Sequence, residues 1–253
     1  MFYLLFIALS LIVGFIAFYQ WQYFMIFAPI YYRKEPLCSS CTLIESVMED
    51  GVVLEGALYE PPNPKATLLV FVGRSHDAVG LLNSLVKCYS DVRIVTWNYR
   101  GYGKSGGSAD EAVLYSDALA VAEIVARNYG AFHVLGFSLG TTLAAYVASK
   151  MAVEKLFLIG AFDSIEALAR KRYPWLPKRF LRYRFATIDF IGDVSAPTAL
   201  FVSKDDTITF IENARKLKSA IRNLILYKEF SNISHKDLLF EPEVQQSIRR
   251  LLG

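Results

Sequence analysis

The chain opens with an almost uninterrupted apolar run. No Asp, Glu, Lys, Arg or His occurs in residues 1–32, and about 20 apolar residues suffice to cross a bilayer. Tyr19, Trp21 and Tyr23 crowd the C-terminal half of the run, as aromatic residues do at a membrane interface. The pattern predicts a transmembrane anchor at 1–32 and a juxtamembrane linker at 33–50. It favours an uncleaved anchor over a signal peptide, because neither a basic start nor a small-residue cleavage site is evident.

Residues 51–253 alternate between short apolar runs and segments of helical period. Nearly continuous apolar runs are typical of strands that are covered on both faces. The predicted strands are Val52 to Tyr59, Thr67 to Val72, Arg93 to Trp97, Phe132 to Leu135, Leu156 to Ile159, Thr198 to Val202 and Asn223 to Tyr227. The predicted helices include Glu111 to Arg127, Phe210 to Ile221 and Glu241 to Leu252. The pattern predicts one α/β domain at 51–253, with a mostly parallel sheet and helices on both faces.

Composition and charge narrow the class only a little. Hydrophobic residues make up 54% of the chain, and the net charge of +3 is too modest to indicate a nucleic-acid partner. Arg33 and Lys34 follow the anchor, which weakly favours a cytoplasmic catalytic domain. Nothing in the sequence indicates an oligomeric state.

Two of the three cysteines form a C-x-x-C directly after the anchor, at Cys38 and Cys41. One such pair cannot complete a four-cysteine zinc site, so no metal centre is predicted. Either a local disulfide or two reduced thiols fits this spacing.

The strongest chemical signal is the stretch Gly136-Phe137-Ser138-Leu139-Gly140. It follows a predicted strand and precedes a helix of small residues, which is the setting of a nucleophilic serine on a sharp strand-to-helix turn. The glycines leave room for the close strand–helix approach. The backbone amide of Leu139 could donate to a developing oxyanion. The pattern predicts Ser138 as a nucleophile.

A nucleophilic serine needs a base and an acid, and chain order restricts both. In this architecture the order is Ser, acid, His. Only His235 follows a plausible acid, because His76 and His133 precede the serine and are interpreted as ordinary loop or strand-edge residues. Asp205 and Asp206 are adjacent candidates for the acid, whose task is to orient the imidazole.

Together these segments resemble the α/β-hydrolase superfamily and, within it, the Bem46-like branch. The resemblance rests on Asn98-Tyr99-Arg100-Gly101-Tyr102-Gly103-Lys104-Ser105, on the serine turn, on the aspartate loop and on Ser234-His235-Lys236-Asp237. It covers the chain from about Val52 onward. Members usually place the acid nine residues after the proline that opens its strand, which from Pro197 favours Asp206.

One position departs from the family pattern. Where the family usually carries His-Gly and then a small or polar residue, this chain has Val72-Gly73-Arg74. The resemblance maps the second oxyanion amide to Arg74, whose backbone serves as well as any. Its cationic side chain is unexpected at the mouth of a pocket, and it either binds an anionic group of the substrate or turns to solvent.

Between Ile159 and Pro197 the resemblance leaves room for only a small cap. The stretch from Arg170 to Arg184 is basic and aromatic. Either it is a solvated helix pair, or it faces anionic headgroups near the anchor and helps lipid-like substrates to reach Ser138.

The resulting hypothesis is a membrane-anchored serine hydrolase that needs no metal or cofactor. Ser138, His235 and Asp206 would cleave an ester or thioester through an acyl-enzyme, with the Arg74 and Leu139 amides holding the oxyanion. The resemblance and the anchor favour a lipophilic acyl substrate, so the expected partners are a small-molecule or acyl-lipid substrate and the membrane. Two alternatives stay open: an amidase or peptidase with the same triad, and an inactive hydrolase-like binding scaffold.

Overall fold

The computed structural model describes residues 2–253. Eight strands occur there, at β1 Cys41–Val47, β2 Val53–Tyr59, β3 Thr67–Phe71, β4 Arg93–Trp97, β5 His133–Phe137, β6 Leu156–Ile159, β7 Thr198–Ser203 and β8 Leu224–Phe230. The α-helices in the same range are α1 Phe2–Ile26, α2 Ala78–Cys88, α3 Glu111–Tyr129, α4 Leu139–Lys150, α5 Ile165–Arg172, α6 Ile188–Ile191, α7 Ile211–Ala220 and α8 Pro242–Leu252. Short 3-10 helices lie at Lys178–Phe180 and Asp237–Phe240.

The strands form one sheet in the order β1-β2-β4-β3-β5-β6-β7-β8. The strands from β3 onward pair in parallel, whereas β1–β2 and β2–β4 are antiparallel. Every residue of β3, β5, β6 and β7 is buried, in keeping with their mostly apolar sequences. The prediction of a mostly parallel sheet surrounded by helices is confirmed.

The first strand differs from the sequence-based expectation. Residues 33–50 were expected to be a linker, but Cys41–Val47 form β1, which pairs with β2 over its full length. As an edge strand, β1 leaves all seven of its residues exposed or half-buried. It therefore lacks the continuous apolar pattern that identified the other strands, and the expectation of a linker is wrong for these residues.

Helix α1 is the one helix within residues 2–253 that is long and apolar enough to cross a membrane. Every residue from 2 to 17 is exposed. Toward its C-terminal end α1 contacts the rest of the chain: Gln22 is buried, and Phe27, just beyond the helix, is fully buried against Tyr183 and Phe185. The apolar helix thus ends inside the folded domain rather than in a free linker.

Candidate active site

Ser138 lies on a sharp turn between β5 and α4. Its φ of +52° is in the left-handed region that residues other than glycine rarely adopt. The turn is held by two hydrogen bonds: Ser138 N–H donates to the Ile159 carbonyl at 2.9 Å, and Thr141 N–H donates to the Ser138 carbonyl at 2.9 Å. The strained turn raises the hydroxyl above the carboxyl end of the sheet, where ligands bind in this kind of sheet.

The two glycines that flank Ser138 are required by close backbone approaches. A Cβ on Gly136 would lie 2.6 Å from the Thr141 Cα, and a Cβ on Gly140 would overlap the carbonyl group of Phe71. Helix α4 therefore packs directly against β5 and β3. This proximity directs the first turn of α4, with its unpaired amides, toward the serine.

His235 lies within hydrogen-bond distance of Ser138, and Asp206 lies within hydrogen-bond distance of His235. His235 Nε2 lies 2.8 Å from Ser138 Oγ, and His235 Nδ1 lies 2.6 Å from Asp206 Oδ2. His235 and Asp206 are buried, and Ser138 is half-buried. The three side chains form one hydrogen-bonded series across three separate loops.

The Asp206 carboxylate is satisfied on both oxygens. Its Oδ1 accepts the backbone amides of Ile208 and Thr209, each at 2.8 Å, and its Oδ2 accepts the Thr209 hydroxyl at 2.5 Å as well as His235. Burial acts to raise the pKa of Asp206, but the hydrogen bonds from His235 and Thr209 outweigh it and hold the pKa below its ordinary value. The carboxyl is therefore an anion over the whole neutral range.

Asp205, the alternative acid, points elsewhere. It is exposed, and its Oδ2 accepts the backbone amide of Asn232 at 2.6 Å. Ser203 Oγ donates to the Ile233 carbonyl at 2.5 Å beside it. These two bonds tie the end of β7 to the loop that carries His235. Of the two aspartates only Asp206 contacts the imidazole.

Arg74 and Leu139, the predicted oxyanion residues, line the same cavity as Ser138. The loop that carries Arg74 is held by two tyrosines: Tyr99 Oη donates to the Val72 carbonyl at 2.6 Å, and Tyr102 Oη donates to the Arg74 carbonyl at 2.7 Å. Burial raises the pKa of both phenols, so both stay neutral donors. The Asn-Tyr-Arg-Gly-Tyr turn, which carries part of the family resemblance, thus supports this loop.

The Arg74 side chain is exposed to solvent, and it also makes a hydrogen bond that the sequence did not indicate. Its Nη1 donates to the Met25 carbonyl, at the end of α1, over 2.7 Å. The Ala28 amide donates to Tyr102 Oη at 2.9 Å, and this hydroxyl in turn donates to the Arg74 carbonyl. The end of the apolar helix is therefore bonded to the loop beside Ser138 through both the side chain and the backbone of Arg74.

Two further residues near the site were missed by sequence reasoning. His76 lines the cavity, its ring packs edge-on against Phe137 with centroids 5.5 Å apart, and burial lowers its pKa, so it is a neutral group there. Gly160 has a φ of +62°, and a Cβ on it would lie 2.9 Å from His235 Cε1. For Gly160, the feature of the sequence that could have indicated its role is a glycine directly after a predicted strand. His133 lies within β5 and is not part of the hydrogen-bonded series of Asp206, His235 and Ser138.

A cavity of about 570 Å³ opens beside Ser138, within the usual range for sites that bind small molecules. Most of its wall is apolar. It is lined by Trp21, Gln22, Met25 and Ile26 of α1, by Gly73 to His76, by Phe137 to Leu139, by Ile165, Leu168, Ala169, Arg172, Tyr173, Leu176, Leu181 and Tyr183 between β6 and β7, and by Thr207, Ile208, Phe210, His235 and Lys236. Helix α1 thus contributes a wall of the cavity, which the sequence did not indicate.

Comparison with known proteins supports the same fold. Residues 68–190 match the family described as alpha/beta hydrolase fold. An uncharacterised protein of Mycobacterium tuberculosis is 29% identical over 166 residues, which cover 63% of this chain and 59% of that protein. The lysophosphatidylserine lipase ABHD12 of Danio rerio is 28% identical over 145 residues, covering 49% of this chain and 38% of the relative. The chain thus spans between about two fifths and three fifths of these relatives.

Solved structures agree on the architecture. The Pyrococcus furiosus esterase Pf2001 superposes with a TM-score of 0.70 at 17% identity, covering 90% of this chain and 97% of the esterase. An acetyl xylan esterase from Paenibacillus sp. R4 gives a TM-score of 0.70 at 16% identity, covering 88% of each chain. The protein therefore has the α/β-hydrolase fold. Its long apolar helix α1 fits the membrane anchor that the sequence predicts.

Proposed function

We propose that this protein is a membrane-anchored serine hydrolase that cleaves an ester or thioester bond of a lipophilic acyl substrate. The observation that carries the proposal is the hydrogen-bonded series from Asp206 through His235 to Ser138, with distances of 2.6 and 2.8 Å, at the wall of an apolar cavity. An uncharged acyl chain fits such a wall because burying apolar surface is favourable.

In the first half-reaction Ser138 Oγ attacks the carbonyl carbon of the substrate. A bond forms between Oγ and this carbon, the hydroxyl proton moves to His235 Nε2, and the carbonyl electron pair moves to its oxygen. The backbone amides of Leu139 and Arg74 donate to this oxyanion. When the tetrahedral intermediate collapses, the alcohol or thiol leaves with the proton from His235, and the acyl group stays on Ser138.

In the second half-reaction water replaces the leaving group. His235 takes a proton from the water, whose oxygen bonds to the acyl carbon, and returns the proton to Ser138 Oγ as the carboxylic acid leaves. Asp206 stays ionised throughout, holding Nδ1 protonated and stabilising the imidazolium. The low pKa of Asp206 suits this role, because the carboxylate keeps its charge while the imidazole gains and loses its own.

Two arguments support a lipophilic substrate rather than a polar one. The cavity wall includes apolar side chains of α1, whose sequence predicts a membrane anchor. One of the relatives is named a lysophosphatidylserine lipase, and this name concerns a lipid ester. We therefore place the substrate among acyl esters or thioesters with a hydrocarbon chain.

A serine-reactive fluorophosphonate tests the proposal directly. The full chain in detergent should form an adduct on Ser138 and hydrolyse p-nitrophenyl esters, and Ser138→Ala should lose both the adduct and turnover. Ser149→Ala is a matched control, because Ser149 lies on the same helix α4 and its hydroxyl bonds only to the Tyr146 carbonyl. Absence of a Ser138-dependent adduct would favour the inactive scaffold. An adduct together with turnover of amides alone would favour an amidase.

A further inference from the structure

The C-terminal end of α1 lies where a membrane interface would lie if α1 spans a bilayer. An α-helix rises about 1.5 Å per residue, so the twenty residues from Phe2 to Trp21 extend over about 30 Å, the thickness of the hydrocarbon core. Gln22 is the first buried residue of the helix. The cavity wall formed by Gln22, Met25 and Ile26 would therefore lie at the level of the lipid headgroups.

The segment from Arg172 to Arg182, here called the basic loop, is bound to this end of α1. Gln22 Nε2 donates to the Phe180 carbonyl at 3.0 Å, and Gln22 Oε1 accepts the Arg182 amide at 2.8 Å. The Arg182 guanidinium lies over the Tyr19 ring, 4.4 Å from its centroid. A buried amide side chain that satisfies two backbone groups holds the basic loop at a fixed height along the helix.

The charged side chains of the basic loop are suited to binding anionic groups. The sequence from Arg172 to Arg182 contains no Asp or Glu. Within residues 2–253 no carboxylate lies within 4.0 Å of the cationic groups of Arg172, Lys178 or Arg179, whereas the neighbouring Lys171 is paired with Glu212. Basic residues near a membrane surface are attracted to anionic lipids.

The same loop exposes aromatic rings beside its cations. Trp175 is 74% exposed, and Phe180 is 41% exposed. Exposed aromatic and cationic side chains on one segment are typical of surfaces that rest at the boundary between headgroups and acyl chains. Arg172 and Leu176 of this loop also line the cavity, so the loop connects this surface with Ser138.

We propose that the basic loop rests on the anionic surface of the bilayer that α1 spans, and that the acyl chain of the substrate passes from the bilayer into the cavity between Met25 and the basic loop. This proposal rests on the proposed function. It adds the path by which the acyl chain enters the cavity and the membrane surface that the basic loop contacts. Since α1 is both anchor and cavity wall, a lipid reaches Ser138 without crossing water. A small soluble ester does not need this route.

The route is tested by narrowing it from the side of α1. Met25→Trp puts a larger side chain into the cavity wall and leaves the Met25 carbonyl available to Arg74. In full-length protein reconstituted in vesicles, we expect kcat/KM for p-nitrophenyl palmitate to fall by at least about tenfold, the effect of a blocked contact of some 1.4 kcal/mol. The kcat/KM for p-nitrophenyl acetate should fall clearly less, so the ratio of palmitate to acetate hydrolysis should drop.

Phe24→Trp is the matched control, because Phe24 is 67% exposed and lies outside the cavity lining. It should leave both activities unchanged. Equal loss on both esters in Met25→Trp, or loss on neither, would overturn the route while leaving the proposed function intact. If the wild type hydrolyses neither ester in a Ser138-dependent manner, the proposed function fails and the route fails with it.

The membrane contact of the basic loop has a test that is independent of catalysis. Brominated lipids quench tryptophan fluorescence on contact, and the chain has three tryptophans. In vesicles with phosphatidylserine, the wild type should show a quenched component that Trp175→Phe lacks. Reversing the free cations, as Arg172→Glu with Lys178→Glu and Arg179→Glu, should remove this component, and so should leaving out the anionic lipid.

The control for charge reversal uses cations at the amino ends of the strands, opposite the end that carries Ser138. Lys65, Lys155 and Arg222 precede strands β3, β6 and β8, so they lie at the amino ends of parallel strands, away from Ser138. Reversing these three should leave the quenching unchanged. Equal quenching in wild type and Trp175→Phe, or in vesicles with and without phosphatidylserine, would overturn the contact between the basic loop and an anionic bilayer.

Discussion

The guanidinium group of Arg74 donates a hydrogen bond to the carbonyl oxygen of Met25 over 2.7 Å. Met25 lies in the last turn of α1, where carbonyls have no partner within the helix and where a cation is favourable. The family pattern expects a small or polar residue at the position of Arg74. This bond gives the long cation a structural role, because it joins the loop beside Ser138 to the end of the helix.

If only the backbone amide of Arg74 acts in catalysis, two substitutions can distinguish the effect of the amide from that of the side chain. Arg74→Ala keeps the amide and removes the bond to Met25, and we expect kcat to fall by less than about tenfold. Arg74→Pro removes the amide, and we expect kcat to fall by about 10²- to 10³-fold, as for loss of an oxyanion donor. Both are measured on p-nitrophenyl acetate, with thermal unfolding as a check of folding. Equal losses in the two variants would assign the catalytic effect to the side chain.

The two adjacent aspartates offer a matched pair for the acid. Asp206→Asn should lower kcat by roughly 10⁴-fold, because an amide cannot hold the imidazole in the required tautomer and charge state. Asp205→Asn should stay within about threefold, because Asp205 accepts one backbone amide, and the amide oxygen of an asparagine can still accept it. Turnover of p-nitrophenyl acetate measures both. Activity retained in Asp206→Asn and lost in Asp205→Asn would reverse the assignment.

How far the sequence predicts this molecule depends on the local pattern of each element. The boundaries of β4 and β6 agree with the prediction, since a short apolar run between polar residues marks a buried strand. β1 has no such run, and β8 extends to Phe230, past its predicted end at Tyr227, through Lys228 and Glu229. On half-exposed edge strands charged residues are tolerated, so the apolar pattern underestimates their length.

Some features of the candidate site can likewise be predicted from the sequence, and others cannot. Ser138, His235 and the aspartate pair are visible in the sequence because each follows a strand at the carboxyl edge of the sheet, in a known order. Other contacts join residues that are far apart in the chain. Tyr102 contacts Ala28 across a separation of 74 positions and Arg74 across a separation of 28 positions. The wall that α1 contributes to the cavity depends likewise on Gln22 contacting Phe180, 158 positions away. No local pattern carries such information, because these contacts form only when the domain folds against the end of the helix.

The stability of the fold should depend on pH through Asp206 in a definite direction. Its folded pKa is held below the ordinary value by bonds from His235 and Thr209, which outweigh burial, whereas in the unfolded chain the pKa is about 3.9. A carboxyl with a lowered folded pKa stabilises the fold above its unfolded pKa, and this stabilisation is lost as pH falls through the folded pKa.

We therefore expect the difference in apparent Tm between wild type and Asp206→Asn to shrink as the pH falls below about 4. Thermal unfolding of the detergent-solubilised protein, followed by circular dichroism, measures it. Asp205→Asn, scanned over the same range, is the control. A difference that grows as the pH falls below about 4 would mean that the carboxyl has a raised pKa in the fold.

The redox state of Cys38 and Cys41 links the structure to the side of the membrane. The two residues form a disulfide at the start of β1, with Cα atoms 5.1 Å apart, whereas Cys88 is a free thiol. Disulfides persist in oxidising compartments and are rare in the cytosol. The disulfide thus favours an extracytoplasmic catalytic domain, while Arg33 and Lys34 favour a cytoplasmic one.

Thiol counting decides between these orientations. Membranes are denatured in excess maleimide-polyethylene glycol, with and without prior reduction, and the shift in gel mobility counts the reactive thiols. We expect one modified cysteine before reduction and three after it, from the three cysteines of the chain. In Cys88→Ser the expected counts are none and two. Three modified cysteines without reduction would mean that the pair is reduced in the cell, and the two cations after α1 would then give the better prediction, a domain in the cytoplasm.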